Sequence, residues 1–195
     1  MENGKKYPQL INTVNNNQST ITPKIYVLTV SDRSYSGTRE DLGGPAVIAS
    51  IQQLTGWKIT SSAIVPDETK QISDKLIDWT DSYHANLILT TGGTGLSVRD
   101  VTPEATLKVI DRQVPGIIEA IRSSSLKITP YSMLSRAIAG TRQQCLIINL
   151  PGNPKAAHET LTVIAPVLPH ALEIMSITTS PNDQHSRLPY TNQKQ

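Results

Sequence analysis

The stretch LILTTGGTGLSVRDVTPEAT, Leu87 to Thr106, constrains this chain more than any other part of it. An apolar, β-branched run ends in a turn nearly stripped of side chains, with Gly92, Gly93 and Gly95. The turn passes through Arg99-Asp100 to a helix start, for which the residues predict Thr102 as N-cap and Pro103 as the first helical position. A buried strand, a bare turn and a helix N-terminus together bring backbone N–H groups close to an anion. The plainer reading is that the glycines only supply positive-φ turn geometry between strand and helix. The Arg99-Asp100 pair and the sharp helix start favour the anion site.

Strand-like and helix-like segments alternate along the rest of the chain. The pattern predicts strands over 24–30, 58–65 and 86–91. A helix carrying Val47, Ile48, Ile51 and Leu54 on one face ends at Gly56, where a C-cap glycine belongs. A second carries Ile72, Leu76, Ile77 and Trp79. Helices over 103–110 and 115–123 follow, then a pair of strands over 135–140 and 144–150. A long last helix is expected from Pro154 to about Met175, bent near Pro166 and Pro169. This alternation implies a three-layer α/β/α fold, a mostly parallel sheet with helices on both faces. The chain has no phenylalanine, so its core must be aliphatic, which suits parallel strands covered on both sides.

A length of 195 residues fits one ordinary domain. Residues 1–23 are polar and rich in Asn, Gln and Thr, and read as a disordered or loosely attached arm. Residues 24–177 form the expected domain, and 178–195 read as a flexible tail. The formal charge is +2, with no run of Lys and Arg that would suggest a nucleic-acid partner. No segment has membrane-spanning length and no signal-peptide core is present, so a cytoplasmic location is expected. The single Cys145 lies in an apolar run and reads as a buried thiol.

Chemically interesting residues fall where a parallel sheet binds ligands, past the carboxyl ends of its strands. Asp32 follows the first predicted strand, Asp67 the second, the glycine-rich turn the third, and Pro151-Gly152-Asn153 a later one. Asp67 and Asp100 together could hold Mg²⁺, which takes one or two protein carboxylates beside phosphate oxygens and water. Taken singly, each has a plain alternative: Asp67 capping a helix that begins near Thr69, and Asp100 bracing the turn. Neither Gly-x-x-x-x-Gly-Lys-Ser/Thr nor Gly-x-Gly-x-x-Gly occurs, which excludes the usual P-loop and dinucleotide-binding sites. Between Ser123 and Arg136, hydroxyls could bond a polar heterocycle and Lys127 or Arg136 a phosphate, unless the segment is an ordinary solvated loop. The four histidines show no metal-ligand spacing.

Seven motifs occur in order: TVSDR from Thr29, GGP from Gly43, PDE from Pro66, TGGTG from Thr91, RDVTPEAT from Arg99, MLSR from Met133 and NLPGNPK from Asn149. In these the chain resembles the molybdopterin adenylyltransferases of the Mog type, related to the plant and gephyrin G domains of molybdenum cofactor synthesis. The resemblance runs from about Lys24 to Ala171. It implies the molybdopterin-binding fold, a homotrimer, and Mg²⁺-dependent adenylyl transfer from ATP to molybdopterin with release of pyrophosphate. Asp67 and Asp100 match the family's acidic pair. Thr94, Ser125 and Ser135 match its pterin pocket, and Gly92, Gly93, Pro151, Gly152 and Asn153 the surrounding phosphate and nucleotide pocket. Asp32 occupies a family motif and is counted with the substrate-binding residues. The polar extension before Pro23 is not required by the family. No fused domain like that of plants and animals is expected, so molybdate insertion is expected on a separate protein. Two other readings stay open: a carrier that holds molybdopterin without converting it, and a member of the MoaB-type branch.

Overall fold

Residues 22–176 are described in a computed structural model of the chain. The terminal stretches 1–21 and 177–195, which hold nearly all of the expected arm and the whole expected tail, lie outside the described residues. Strands β1 (Ile25–Val30), β3 (Leu87–Thr91) and β6 (Cys145–Leu150) are buried along their whole length, as their predominantly apolar content favours. Around them the chain runs β1, α1 (Asp32–Tyr35), α2 (Gly43–Thr55), β2 (Ser61–Val65) and α3 (Thr69–Ile77). It continues through β3, α4 (Thr102–Leu107), β4 (Arg112–Gln113), α5 (Pro115–Leu126), β5 (Ala139–Arg142), β6, α6 (Pro154–Ile164) and α7 (Leu168–Ser176).

The six strands form one sheet in the order β2-β1-β3-β6-β5-β4. The first four are mutually parallel, while β5 and β4 complete the sheet antiparallel at one edge. Alternate residues face opposite layers. Val27, Leu89 and Ile148 stand in register and pack against α2, α5, α6 and α7 through Val47, Ile51, Ile118, Leu161 and Leu168. Their neighbours Leu28, Ile88 and Ile147 face α3 and α4, meeting Ile72, Leu76, Trp79 and Ala105. The three-layer expectation therefore holds. The largest fully buried side chains are all Ile or Leu. Cys145 is buried in the second of these clusters.

Several boundaries differ from the sequence reading. Gly56 does cap α2, at φ 74° with its N–H on Gln52 O. The predicted strand 135–140 starts only at Ala139, because Pro130–Leu134 forms a 3-10 turn begun by the Thr129 side chain. The long last helix is two, α6 and α7, separated by a 3-10 turn over Ala165–Val167 that contains Pro166. Trp79 lies beyond α3, in a π-helical turn over Asp78–Ser82. Among the described residues, no helix is long and apolar enough to cross a membrane.

Candidate active site

Because β1, β2, β3 and β6 run parallel, the turns after all four reach the same edge of the sheet. Asp32, Asp67, Gly92, Gly93, Thr94, Asp100, Gly152 and Asn153 line one open, polar cavity of about 700 Å³ there. Thr94 and Asn153 also line a second cavity of about 360 Å³, with Ser125, Ser135 and Pro151. Its wall is mostly apolar, from Ile118, Ile121, Ile128, Leu134 and Ala137. All eleven residues singled out in the sequence thus meet around two adjoining compartments. Lys127 lines neither.

The turn after β3 is tight because it must be. At Gly92, φ is 101° and an added Cβ would stand 2.3 Å from Val30 O; at Gly93, φ is 63° and it would stand 2.4 Å from Thr102 Oγ1. Neither position accepts an L side chain without movement. Thr102 is not the N-cap expected from the sequence. That place falls to Val101, and the Thr102 hydroxyl instead donates to Gly92 O at 2.9 Å. The loop beyond is held by Arg136, which donates to Gly95 O at 2.7 Å, to Asp100 O at 2.5 Å and to the Glu104 carboxylate. Arg136 is therefore occupied in shaping the glycine-rich loop, and the sequence suggestion that it meets a phosphate is corrected.

Asp67 does not cap α3, whose N-cap is Glu68 with no side-chain bond. Its Oδ2 accepts from Asp32 N–H at 2.8 Å, while Asp32 Oδ1 accepts from Asp67 N–H at 3.0 Å. Arg99 completes the group, donating from Nε and Nη2 to the two Asp32 oxygens, each at 3.0 Å, with Nη2 also 2.8 Å from Glu68 Oε1. These bonds to Arg99 hold the Asp32 carboxyl below the ordinary aspartate range. The Asp67 carboxyl is pushed above it, chiefly by burial, with a further push from the charges of Asp32 and Asp100. Asp100 does brace the turn, its Oδ2 accepting from Ser97 N–H at 2.9 Å. Asp67 Oδ1 and Asp100 Oδ1 carry no hydrogen bond among the described residues.

Sequence reasoning gave no individual role to four contributors. Arg99 lines the polar cavity and is paired with Glu68; the signal for Arg99 was a lone cation among acids. Asp41 organises the start of α2, taking Gly43 and Gly44 N–H on Oδ1 and the Thr29 hydroxyl on Oδ2. Asn149 donates to Thr90 and Thr106 hydroxyls beneath the site, and its Oδ1 accepts from Ile138 N–H.

Residues 26–170 match the family described as "probable molybdopterin binding domain". The molybdopterin adenylyltransferase of Helicobacter pylori strain J99 is 43% identical, over 79% of this chain and 88% of that protein. That of Escherichia coli K12 is likewise 43% identical, over 72% of each. Gephyrin of Dictyostelium discoideum is 45% identical over 77% of this chain, but the match spans only 22% of gephyrin's length. Among solved structures, the molybdopterin biosynthesis enzyme MoaB of Thermus thermophilus superposes with a TM-score of 0.74 at 44% identity, over 78% of this chain and 96% of that one.

Proposed function

The chain belongs to the molybdopterin-binding domain family of molybdenum cofactor biosynthesis, and on that premise we propose that it transfers the adenylyl group of ATP to molybdopterin. The observation that carries this reading is the joined pair of compartments. An apolar pocket with hydroxyls at Ser125 and Ser135 opens at Thr94 and Asn153 onto a polar cavity with a glycine-rich turn and two carboxylates. One compartment suits a flat heterocycle and the other a polyphosphate, with the reacting groups meeting where they join.

In this reading a terminal phosphate oxygen of molybdopterin attacks the α-phosphorus of ATP. A new P–O bond forms, the bond to the β-phosphate breaks, and pyrophosphate leaves with the displaced electron pair. No protein nucleophile takes part. Gly92 and Gly93 let the backbone approach the phosphates, and Thr94 sits at the junction of the two substrates. The donor set fits Mg²⁺: two hard carboxylates on one cavity, each with one oxygen held by a backbone N–H and the other carrying no hydrogen bond among the described residues. Asp67 and Asp100 would hold the ion. When bound, it would offset charge on the phosphates. Among the described residues no group of three or more His, Cys, Asp and Glu is gathered as a metal site.

The family resemblance further supports a cytoplasmic homotrimer made of the domain over 24–177, whose product passes to a separate molybdate-inserting protein. Single-turnover reaction with molybdopterin, ATP and Mg²⁺ tests the proposal. Wild-type formation of adenylylated pterin and pyrophosphate, lost in both Asp67→Asn and Asp100→Asn, is the expected result. Tight pterin binding without product would instead make the chain a carrier, with both carboxylates serving only their turns.

A further inference from the structure

We infer that Asp32 and Arg99 are a positioning pair that sets the orientation of the Asp67 carboxylate, with neither needed as a contact to substrate. This rests on the proposed transferase reading. The turns after β1 and β2 are locked crosswise, since Asp32 N–H donates to Asp67 Oδ2 at 2.8 Å and Asp67 N–H to Asp32 Oδ1 at 3.0 Å. Each aspartate therefore fixes the other's backbone with its side chain. The consequence for Asp67 is directional. Oδ2 is tied back to the β1 turn, and Oδ1 lies on the Gly93 side, 3.0 Å from where a Cβ on that glycine would stand.

Arg99 supplies the third anchor. It comes from the glycine-rich loop after β3, and its planar fork engages both oxygens of Asp32 while reaching Glu68, the neighbour of Asp67. Three strand ends are thus cross-linked by one guanidinium. A lone exposed ion pair contributes little, but a two-pronged pair inside a charge network restricts geometry as well. Lysine cannot reproduce it, because a single ammonium cannot present two parallel N–H groups to one carboxylate and a third to another. With Nε and Nη2 engaged by Asp32 and Glu68, the guanidinium acts on the site through Asp67.

Two readouts on the full chain test this: single-turnover kinetics with ATP and molybdopterin, and amide hydrogen exchange at Asp32 and Asp67 in the ligand-free protein. We expect Arg99→Gln to lower the maximal rate about tenfold or more, with KM for ATP moved less than about threefold, as small misplacements of a reacting group do. Both amides should exchange faster. Arg99→Lys should recover less than half of the lost rate, and Asp32→Asn, which keeps an acceptor for Asp67 N–H, should be milder than Asp32→Ala. A loss confined to KM for ATP would overturn the inference, making Arg99 a phosphate contact. So would full rescue by lysine, or amide exchange unchanged in Arg99→Gln. If the wild type shows no turnover, the transferase reading fails, and the exchange measurements still decide whether the pair positions Asp67.

Discussion

Asn149, near the end of β6, donates its side-chain amide to Thr106 Oγ1 of α4 across 2.9 Å, in a position only 1% exposed. The same NH₂ group reaches Thr90 Oγ1 at 3.0 Å, and the carbonyl oxygen takes Ile138 N–H at 3.1 Å. One side chain therefore ties the strand that leads into the glycine-rich turn to the helix that follows it. Buried polar groups so completely paired are costly to interrupt, because each orphaned partner keeps its desolvation penalty.

Replacement of Asn149 by leucine should accordingly destabilise the fold by about 2–3 kcal/mol. Urea unfolding of wild type and Asn149→Leu would read this directly, with an unchanged midpoint as the contrary result.

The glycines should differ sharply among themselves. Gly92→Ala places a Cβ 2.3 Å from Val30 O at φ 101°, and should cost about 2 kcal/mol or more together with activity. Gly116 lies near the start of α5 with nothing within 4 Å of a Cβ. Gly116→Ala should be neutral or stabilising by up to about 1 kcal/mol. Thermal melts and turnover of the two variants, side by side, check both.

Asp32 and Asp67 should respond to pH in opposite senses. The folded Asp67 carboxyl sits above its ordinary 3.8, so its stability contribution is full below the unfolded value and is lost as pH rises through the folded one. Asp67→Asn should gain stability relative to wild type over that rise. Asp32 sits below 3.8 through Arg99, so its contribution is present above 3.8 and lost as pH falls through the lower folded value. Asp32→Asn should be less stable than wild type near neutrality and converge with it in acid. Denaturation midpoints measured against pH with a chelator present would separate the two trends.

Cys145 should be inert in the folded protein. Its thiol is fully buried and pushed up to about 12 by that burial, leaving almost no thiolate. Reaction with an aromatic disulfide reagent should proceed only as fast as the chain opens, and rise steeply through the unfolding transition. Rapid labelling under native conditions would contradict the buried placement.

The parallel, aliphatic centre of this fold was legible from residue pattern alone, since runs such as LILTT and CLIINL can hardly be buried in any other way. Ordered strand ends likewise pointed to one edge of the sheet, and every residue singled out there does line the polar or the apolar cavity described above. Boundaries were less readable. Thr102 looks like a cap from local chemistry, yet the helix already includes it, Val101 takes the N-cap place, and the Thr102 hydroxyl donates to Gly92 O.

Partner choice is where sequence reasoning ran out. Arg136 and Arg99 are equivalent cations on paper, and nothing local says that the first clamps carbonyls of the glycine-rich loop while the second grips Asp32 and Glu68. Asp67 and Asp32 lie 35 residues apart and bond only because β1 and β2 are adjacent and in parallel register. Periodicity and turn chemistry act over a few residues and are written in the chain. Hydrogen-bond pairing between distant turns depends on which strands become neighbours, and only the packed sheet decides that.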